Sequence, residues 1–389
     1  MKKKISVLTA TRAEYGLLKP LINKLNKVDE FDVRIVVTGA HLSSEFGLTY
    51  KEIEKDGINI DKKIEILLSA DTPSAISKSM GLAMISFSDY FEMLNPDILI
   101  VLGDRYETLA IATVAMNQRI PIVHLHGGET TEGALDESIR HALTKMSYLH
   151  FTSTEEYRNR VIQLGENPER VFSVGAIGIE NILNENLMDK LELQKSMNFT
   201  LDKPYAMVTF HPVTLEDNKS KEQVKELLNS LEVFRYMKFI FTKANADSGG
   251  RIINQMIDDY VNSHDNAIAF NSLGLTRYLS ALKYSTMVIG NSSSGLLEVP
   301  SFGIPTINIG DRQKGRLQAD SVINCEPIKD DIEKAIKIAL SEEFREKAKN
   351  TINPYGDGNT SDKIIKIIKE FILNDKINLK KKFYDLEVK

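Results

Sequence analysis

Short apolar runs alternate with longer segments of helical periodicity along the whole chain. The apolar runs are ISVLTA, DVRIVVTG, DILIVLGD, PIVHLHGG, LHFTST and VFSVGA in the first half, and YAMVTFHP, KFIFTKAN, AIAFNS, TMVIGNSS, PTINIG and SVINC in the second. Strands that alternate with helices are typical of βαβ units, and continuously apolar strands are typical of parallel sheets covered on both faces. The pattern therefore predicts an α/β protein with two Rossmann-like, doubly wound domains.

A polar stretch, NENLMDKLELQKSMNFTLDKP, separates the two halves. We expect an N-terminal domain over residues 1–175 and a C-terminal domain over residues 176–360. The last helical segment, within residues 361–375, is expected to pack back on the N-terminal domain. Ligands of open α/β sheets bind beyond the carboxyl ends of the strands, so we expect one interdomain cleft where the two carboxyl edges face each other.

Composition limits the classes of partner. The 389 residues carry a formal net charge of −5, which disfavours a general nucleic-acid binder. The single cysteine, Cys325, excludes an internal disulfide and a CxxC metal site. The apolar run near the N-terminus is too short for a signal peptide, and no run has the length of a membrane span. We expect a cytoplasmic protein with no nucleic-acid or membrane partner.

The second half carries residue types that suit a nucleoside diphosphate. Ser292 and Ser293 stand where a predicted strand leads into a predicted helix, a place where hydroxyl and backbone N–H groups bind anions. Glu298 follows and would hold ribose hydroxyls, and Arg312 after the next strand would hold phosphate. A simple serine N-cap is the alternative.

Two further arginines follow strands of the first half. They are Arg12 in TRAEYG and Arg105 in GDRYE, and surface ion pairs are the alternative role for both. The first turn contains neither GxGxxG nor GxxxxGK[ST], which disfavours nicotinamide and P-loop sites. We therefore predict no redox cofactor.

The stretch HLHGGETTEGALDESIRH concentrates groups that handle protons. His124 and His126 alternate on a predicted strand, so with Glu129 they would form a metal site. No second ligand cluster lies near in sequence, so we favour metal-free acid/base chemistry by His126, Glu129 and Asp136. Asp136 also stands at the start of a helix, where an acidic residue stabilises the helix dipole, and both roles stay open.

Other polar residues at strand ends have two possible roles each. Asp104 suits acid/base chemistry or a salt bridge, and His211 suits the site or the core. Asn245 and Asp247 suit sugar contacts or helix caps, and Arg140 lies early in the helix that follows the HGGE segment.

Seven motifs in this order strongly resemble the hydrolysing UDP-N-acetylglucosamine 2-epimerases. They are TRAEYG, GDRYE, HLHGGE, DESIRHALTKMS, HPVTLE, GNSSSGLLEVP and INIGDRQKGR, and the resemblance covers roughly residues 3–375. It implies a GT-B arrangement with UDP in the cleft, no cofactor, and a homodimer or homotetramer. Bacterial members supply sialic-acid-type sugars for surface glycans.

The resemblance also assigns roles to individual residues. It implies a catalytic set of Asp104, His126, Glu129, Asp136 and His211. It implies UDP contacts from Arg12, Arg105, Ser292, Ser293, Glu298 and Arg312. From their positions in the chain, we predict sugar contacts from Asn245, Asp247 and Arg140. Mammalian and non-hydrolysing relatives carry glutamate where this chain has His126, so either His126 or Glu129 takes the acid/base role.

The chemistry of C2 inversion provides an independent check. The C2 proton of an N-acetylhexosamine is not adjacent to a carbonyl, so inversion needs either oxidation or departure of the anomeric group. Without a nicotinamide fingerprint, we expect elimination of UDP to a 2-acetamidoglucal, followed by hydration to N-acetylmannosamine. Three alternatives stay open: a UDP-2,4-diacetamido-2,4,6-trideoxyglucose substrate, a UDP-sugar glycosyltransferase, and a non-catalytic UDP-sugar sensor.

Overall fold

A computed structural model describes residues 2–68, 72–130, 135–212, 220–244 and 250–387. Its packing divides the chain into two compact units. The first unit comprises Met1–Asn181 with Tyr355–Lys389, and the second comprises Ile182–Pro354. Each unit is built on its own parallel sheet, which confirms the predicted α/β fold class.

The first unit contains a seven-stranded parallel sheet. Its strands are β1 (Lys3–Thr9), β2 (Phe31–Thr38), β3 (Ile60–Ile64), β4 (Ile98–Leu102), β5 (Ile122–Leu125), β6 (Leu149–Thr152) and β7 (Val171–Ser173). The strand order is β3-β2-β1-β4-β5-β6-β7, so the winding direction reverses between β1 and β4. The carboxyl ends at such a reversal form the usual binding crevice of this fold.

Helices cover both faces of the first sheet. They are α1 (Arg12–Leu25), α2 (Tyr50–Lys55), α3 (Pro73–Leu94), α4 (Tyr106–Asn117), α5 (Leu135–Met146) and α6 (Glu155–Gln163), with α7 (Ile177–Asn184) leading into the second unit. Val7 of β1 packs in one core with Leu18 of α1, whereas Leu8 packs in the other core with Phe87 of α3. This double coverage explains why the strands read as continuous apolar runs.

The second unit contains a six-stranded parallel sheet of order β10-β9-β8-β11-β12-β13. Its strands are β8 (Tyr205–Thr209), β9 (Lys238–Thr242), β10 (Ala267–Phe270), β11 (Met287–Gly290), β12 (Thr306–Ile309) and β13 (Val322–Cys325). Its helices are α8 (Lys190–Met197), α9 (Ser220–Leu231), α10 (Gly250–Ser263), α11 (Gly274–Tyr284), α12 (Ser294–Leu297), α13 (Lys329–Leu340) and α14 (Glu342–Lys349). The winding reverses between β8 and β11, which places the crevice beside their carboxyl ends.

The last helix, α15 (Thr360–Leu373), belongs to the first unit. Its apolar face packs beside α1 through Ile364, Ile365 and Ile368. Short 3-10 helices span Gly39–Leu42, Pro168–Arg170, Glu232–Phe234 and Val299–Phe302. No helix among the described residues is long and apolar enough to cross a bilayer.

The predicted domain bounds at residues 175 and 360 stay a prediction. The first compact unit continues to Asn181, where Ala176 N–H donates to Tyr355 O at 2.6 Å and Asn181 Nδ2 donates to Gly16 O at 2.8 Å. Strand β3 was not predicted, because its sequence IDKKI is largely charged. It lies at the sheet edge, where one side needs no partner strand.

Candidate active site

Arg140 binds the loops that follow two neighbouring strands. It is 4% exposed and pairs with Asp104, which follows β4. It also donates to Glu129 O at 2.6 Å, beyond β5, and to Glu137 Oε2 at 2.8 Å on its own helix α5. A buried guanidinium with three acceptors holds them in fixed positions. Arg140, predicted as a sugar contact, therefore acts here on the protein itself.

The carboxyl group of Asp104 is influenced by Arg140 and by two other carboxylates. Burial raises the pKa of Asp104, the pair with Arg140 opposes that rise, and the charges of Asp136 and Glu129 add to it. Asp136 is exposed in the first turn of α5. A carboxyl group with a raised pKa beside other carboxylates suits proton exchange.

His126 connects Glu129 to the start of α7. Its Nε2 accepts a hydrogen bond from Ile177 N–H at 3.3 Å, so the proton of a neutral ring lies on Nδ1. Nδ1 lies 3.0 Å from Glu129 Oε1, which also accepts from Ser153 Oγ at 2.9 Å. With both nitrogens engaged, His126 orients Glu129.

The predicted alternation of His124 and His126 on one strand face is wrong. His124 is fully buried within β5, while His126 lies beyond the strand with φ of 66°, in the left-handed region. His124 Nε2 donates to Gly103 O at 2.8 Å, and burial lowers the pKa of His124 to about 3. Among the described residues no group of three possible ligands surrounds a metal position.

The two predicted phosphate arginines of the first unit both hold ion pairs. Arg12 Nε lies 3.0 Å from Glu52 Oε2, and its side chain is 66% exposed. Arg105 Nη2 lies 2.9 Å from Oε1 of Glu107, a carboxylate that is fully buried. Glu107 therefore fixes the direction of Arg105, whereas Arg12 stands on the surface.

Glu14 was missed by the sequence analysis. Its Oε2 accepts from Ala10 N–H at 2.7 Å and Thr11 N–H at 3.0 Å, and Thr11 Oγ1 accepts from Glu14 N–H, which completes a capping box at the start of α1. The pattern TxxE signals that box in the sequence. Burial raises the pKa of Glu14 to about 7, against backbone hydrogen bonds that lower it.

We expect Glu14 to make the first unit less stable as pH rises from about 4.5 to about 7. Between these values the folded state binds more protons than the unfolded state, so the free energy of unfolding falls with rising pH, by on the order of 1–3 kcal/mol. Glu14→Gln keeps the acceptor oxygen and should flatten this slope in urea unfolding at pH 5 to 8. The exposed Glu45→Gln serves as control, and an unchanged slope in Glu14→Gln would contradict the assignment.

Asn291 is the hub of the second unit and was not predicted. Its Oδ1 accepts from His211 N–H at 2.7 Å and its Nδ2 donates to His211 O at 2.8 Å, which fixes the residue after the β8 segment. Its carbonyl oxygen accepts from Arg312 Nη1 at 3.0 Å and Gln313 Nε2 at 2.9 Å. Asn291 thus joins the ends of β8, β11 and β12.

The serine segment leads into a helix, as we predicted, but that helix, α12, is a single turn. The dipole of a single turn is small, so the predicted anion site would rely on the hydroxyl and N–H groups of Ser292 and Ser293 and on Arg312. Ser294 Oγ donates to Glu298 Oε2 at 2.5 Å and lies 2.5 Å from Tyr278 OH. Burial raises the pKa of Glu298.

The structure thus brings the predicted residues into two groups, one in each unit. Asp104, His126, Glu129, Asp136 and Arg140 form the first group. His211, Ser292, Ser293, Glu298 and Arg312 follow strands β8, β11 and β12 in the second unit. Asn245 and Asp247, the other predicted sugar contacts, lie outside the described residues.

Comparison with known proteins gives one consistent family. A family profile described as UDP-N-acetylglucosamine 2-epimerase matches residues 23–369. The chain is 46% identical to a GDP/UDP-N,N'-diacetylbacillosamine 2-epimerase (hydrolyzing) of Campylobacter jejuni, over 99% of this chain and 100% of that protein. It is 42% identical to the polysialic acid biosynthesis protein P7 of Escherichia coli, over 99% and 98%. The crystal structure of a Neisseria meningitidis UDP-GlcNAc 2-epimerase bound to UDP-GlcNAc shares the fold, with a TM-score of 0.77, 20% identity and coverage of 94% and 100%.

Proposed function

Because this chain belongs to the hydrolysing UDP-N-acetylglucosamine 2-epimerase family, we propose that it converts UDP-N-acetylglucosamine and water to N-acetylmannosamine and UDP. The observation that carries the proposal is the carboxyl group of Asp104, which is held by the buried Arg140 and whose pKa is raised by burial and by the charges of Asp136 and Glu129. We assign proton transfer at the sugar to this first unit, and the nucleotide to the second.

The reaction needs two proton carriers. Departure of UDP breaks the bond between C1 and its oxygen, and removal of the C2 proton gives the 2-acetamidoglucal. Hydration then adds hydroxide at C1 and a new proton at C2. The new proton arrives on the face opposite to the one from which the first proton left, so one group removes a proton and another group delivers one. We assign removal to Glu129, oriented by His126 and Ser153, and delivery to Asp104, whose raised pKa suits a proton donor.

The second unit supplies charge for the leaving group. Negative charge accumulates on UDP as the bond to C1 breaks, and donors already in place stabilise it without reorganisation. Ser292, Ser293 and Arg312 are the donors that we assign to the diphosphate, with Arg312 held by Asn291 O. No metal and no redox cofactor enters this scheme.

A second substrate has a specific observation in its favour. The Campylobacter jejuni relative, at 46% identity, is named for N,N'-diacetylbacillosamine carried on GDP or UDP. That sugar differs from N-acetylglucosamine at C4 and C6, away from the bonds that react. The same carboxylates would therefore serve both substrates.

The proposal is tested by incubating the protein alone with each nucleotide sugar and analysing the products by NMR. A hydrolysing epimerase releases the nucleoside diphosphate and the free 2-epimer from UDP-N-acetylglucosamine or from UDP- or GDP-N,N'-diacetylbacillosamine. The ratio of kcat/KM between them identifies the substrate. A glycosyltransferase leaves them intact without an acceptor, and a sensor binds them without turnover; either result refutes the proposal.

We expect Ser293→Ala and Arg312→Ala to weaken UDP binding. A charge-assisted hydrogen bond contributes about 1.5–3 kcal/mol, so the loss for Arg312→Ala is roughly tenfold or more in affinity by calorimetry. The exposed Lys314→Ala, two residues further on, removes a positive charge from the same loop and serves as control. Unchanged affinity in both test variants would place the nucleotide elsewhere.

We expect isotopes from solvent at C2 of the product but not in UDP. In deuterated water, the delivered proton places one deuterium at C2. In ¹⁸O-water, UDP stays unlabelled, because its β-phosphate keeps the bridging oxygen when the bond to C1 breaks. Mass spectrometry and NMR distinguish two contrary outcomes: retained substrate hydrogen indicates an internal hydride shuttle, and a labelled phosphate indicates attack at phosphorus.

A further inference from the structure

A cavity of about 770 Å³ lies in the first unit beside the amino ends of β6 and β7, whereas Asp104 and His126 follow the carboxyl ends of β4 and β5. Its walls include Tyr148 and Arg170, which immediately precede β6 and β7, and the segment 376–382 that follows α15. The amino ends of the strands face this cavity, whereas the acid/base groups follow the carboxyl ends. We call segment 376–382 the strap, and the cavity the strap pocket.

Arg170 is a buried cation without a full set of acceptors. The residue is 8% exposed, and its guanidinium makes no hydrogen bond within the described residues. Its Cζ lies 5.0 Å from the centre of the Tyr148 ring, and its nearest carboxylate oxygen, Glu166 Oε2, is 3.9 Å from Nη2. A guanidinium has five N–H donors, and no nitrogen of Arg170 is among the fully enclosed side-chain atoms that lack a partner, so its unpaired donors are reachable from the cavity.

Glu166 is already occupied by other cations. Its oxygens lie 2.7 Å from Lys145 Nζ, 2.8 Å from Lys381 Nζ and 3.2 Å from His150 Nε2. Although burial raises the pKa of Glu166, these hydrogen bonds hold it down to about 2. One carboxylate thus faces two lysines and Arg170, which leaves this wall with excess positive charge.

The strap adds two further cations, and its backbone is held in place by Tyr148. Tyr148 OH donates to Lys376 O at 3.1 Å and accepts from Asn378 N–H at 3.1 Å, which secures the segment that carries Lys380 and Lys382. Both lysines are exposed at the pocket.

The remaining charges do not cancel this excess. Lys376 and Glu370 neutralise each other at 2.6 Å. Glu169 is then the one lining carboxylate of the described residues that faces Arg170, Lys380 and Lys382. The rings of Phe172 and Phe371, with centroids 6.1 Å apart, form an apolar wall beside the cations.

We propose that the strap pocket is a second anion site, which binds the phosphate oxygens of a small phosphorylated molecule through Arg170, Lys380 and Lys382. Arginine matches phosphate with paired hydrogen bonds, and lysines add charge without fixed geometry. The volume is that of an ordinary small-molecule site. The site is independent of the proposed nucleotide position in the second unit.

Inorganic pyrophosphate is the probe that tests the strap pocket. Calorimetric titrations of the full chain are run with and without saturating UDP, so that a diphosphate site elsewhere is filled in one arm. We expect pyrophosphate to bind in both arms, with affinity about tenfold or more weaker in Arg170→Gln and in the double variant Lys380→Ala/Lys382→Ala. The double variant changes only exposed side chains, so it keeps the test valid if Arg170→Gln does not fold.

Two exposed lysines elsewhere in the first unit give the matched control. Lys27→Ala/Lys62→Ala removes the same charge and should leave pyrophosphate affinity unchanged. Equal losses in both double variants would reduce the effect to non-specific attraction and overturn the proposal. So would absence of pyrophosphate binding in the UDP-saturated arm, because the pocket would then hold no anion of its own.

Discussion

Asp104→Asn, Glu129→Gln and Asp136→Asn should each lower turnover by about 10²–10⁴-fold, the usual contribution of a general acid or base. Each change replaces a carboxylate by an amide of nearly the same shape, so the fold is kept while proton exchange is lost. In Asp104→Asn the amide oxygen still accepts from Arg140. UDP affinity should stay near the wild-type value, because the nucleotide is assigned to the other unit. Steady-state kinetics and calorimetry with UDP together measure both effects.

The control for these variants is Glu156→Gln, an exposed carboxylate in the first turn of α6 that pairs with Arg160. It should leave turnover unchanged. A test variant that keeps near-normal turnover removes that residue from the catalytic set. A variant that loses UDP affinity as well would show a change in structure rather than in chemistry.

His126 needs a different substitution, because its backbone is left-handed at φ of 66°. Asparagine tolerates that conformation better than most residues and can place an N–H near the position of Nδ1. If His126 only orients Glu129, His126→Asn should lose much less turnover than Glu129→Gln. A loss as large as that of Glu129→Gln would instead make His126 the acid/base.

The sequence predicted the strands well because burial on both sheet faces makes them continuously apolar. Strand β3 was missed because an edge strand with charged side chains lacks that signal. His126 was placed on the strand because alternation alone does not reveal where a strand ends. Its left-handed backbone depends on the following turn, in which Gly128 has φ of 80°.

The long-range contacts of the site had no signal in one sequence. Arg140 and Asp104 lie 36 positions apart, and no periodicity relates them. The same is true of Asn291, which stands in the motif GNSSSG. Four of its hydrogen bonds go to residues on two other loops, and the motif does not reveal them. The residue types of the candidate site were therefore predictable from strand ends, whereas the groups that orient them are brought together only by the folded chain.

Gly290→Ala should destabilise the second unit by about 3 kcal/mol or more, since steric conflict with backbone cannot relax at low cost. Gly290 ends β11 with φ of 140°, a conformation that other residues rarely adopt, and an added Cβ would lie 1.8 Å from Thr209 O. The control is Gly81→Ala in the interior of α3, where an added Cβ meets nothing within 4 Å. There we expect a gain of up to about 1 kcal/mol. Urea unfolding measures both, and equal effects would contradict the steric argument.

The same substitution should also weaken UDP binding in any fraction that folds. Thr209 O, the atom in conflict with the new Cβ, is the acceptor for Asn291 N–H at 3.1 Å. Relief of the conflict requires β8 and β11 to separate, and Asn291, which fixes both His211 and Arg312, moves with them. Calorimetry on the folded fraction at low temperature should therefore show a loss at least as large as that of Arg312→Ala. Wild-type affinity in Gly290→Ala would mean that the Asn291 hub does not position the groups that bind the nucleotide.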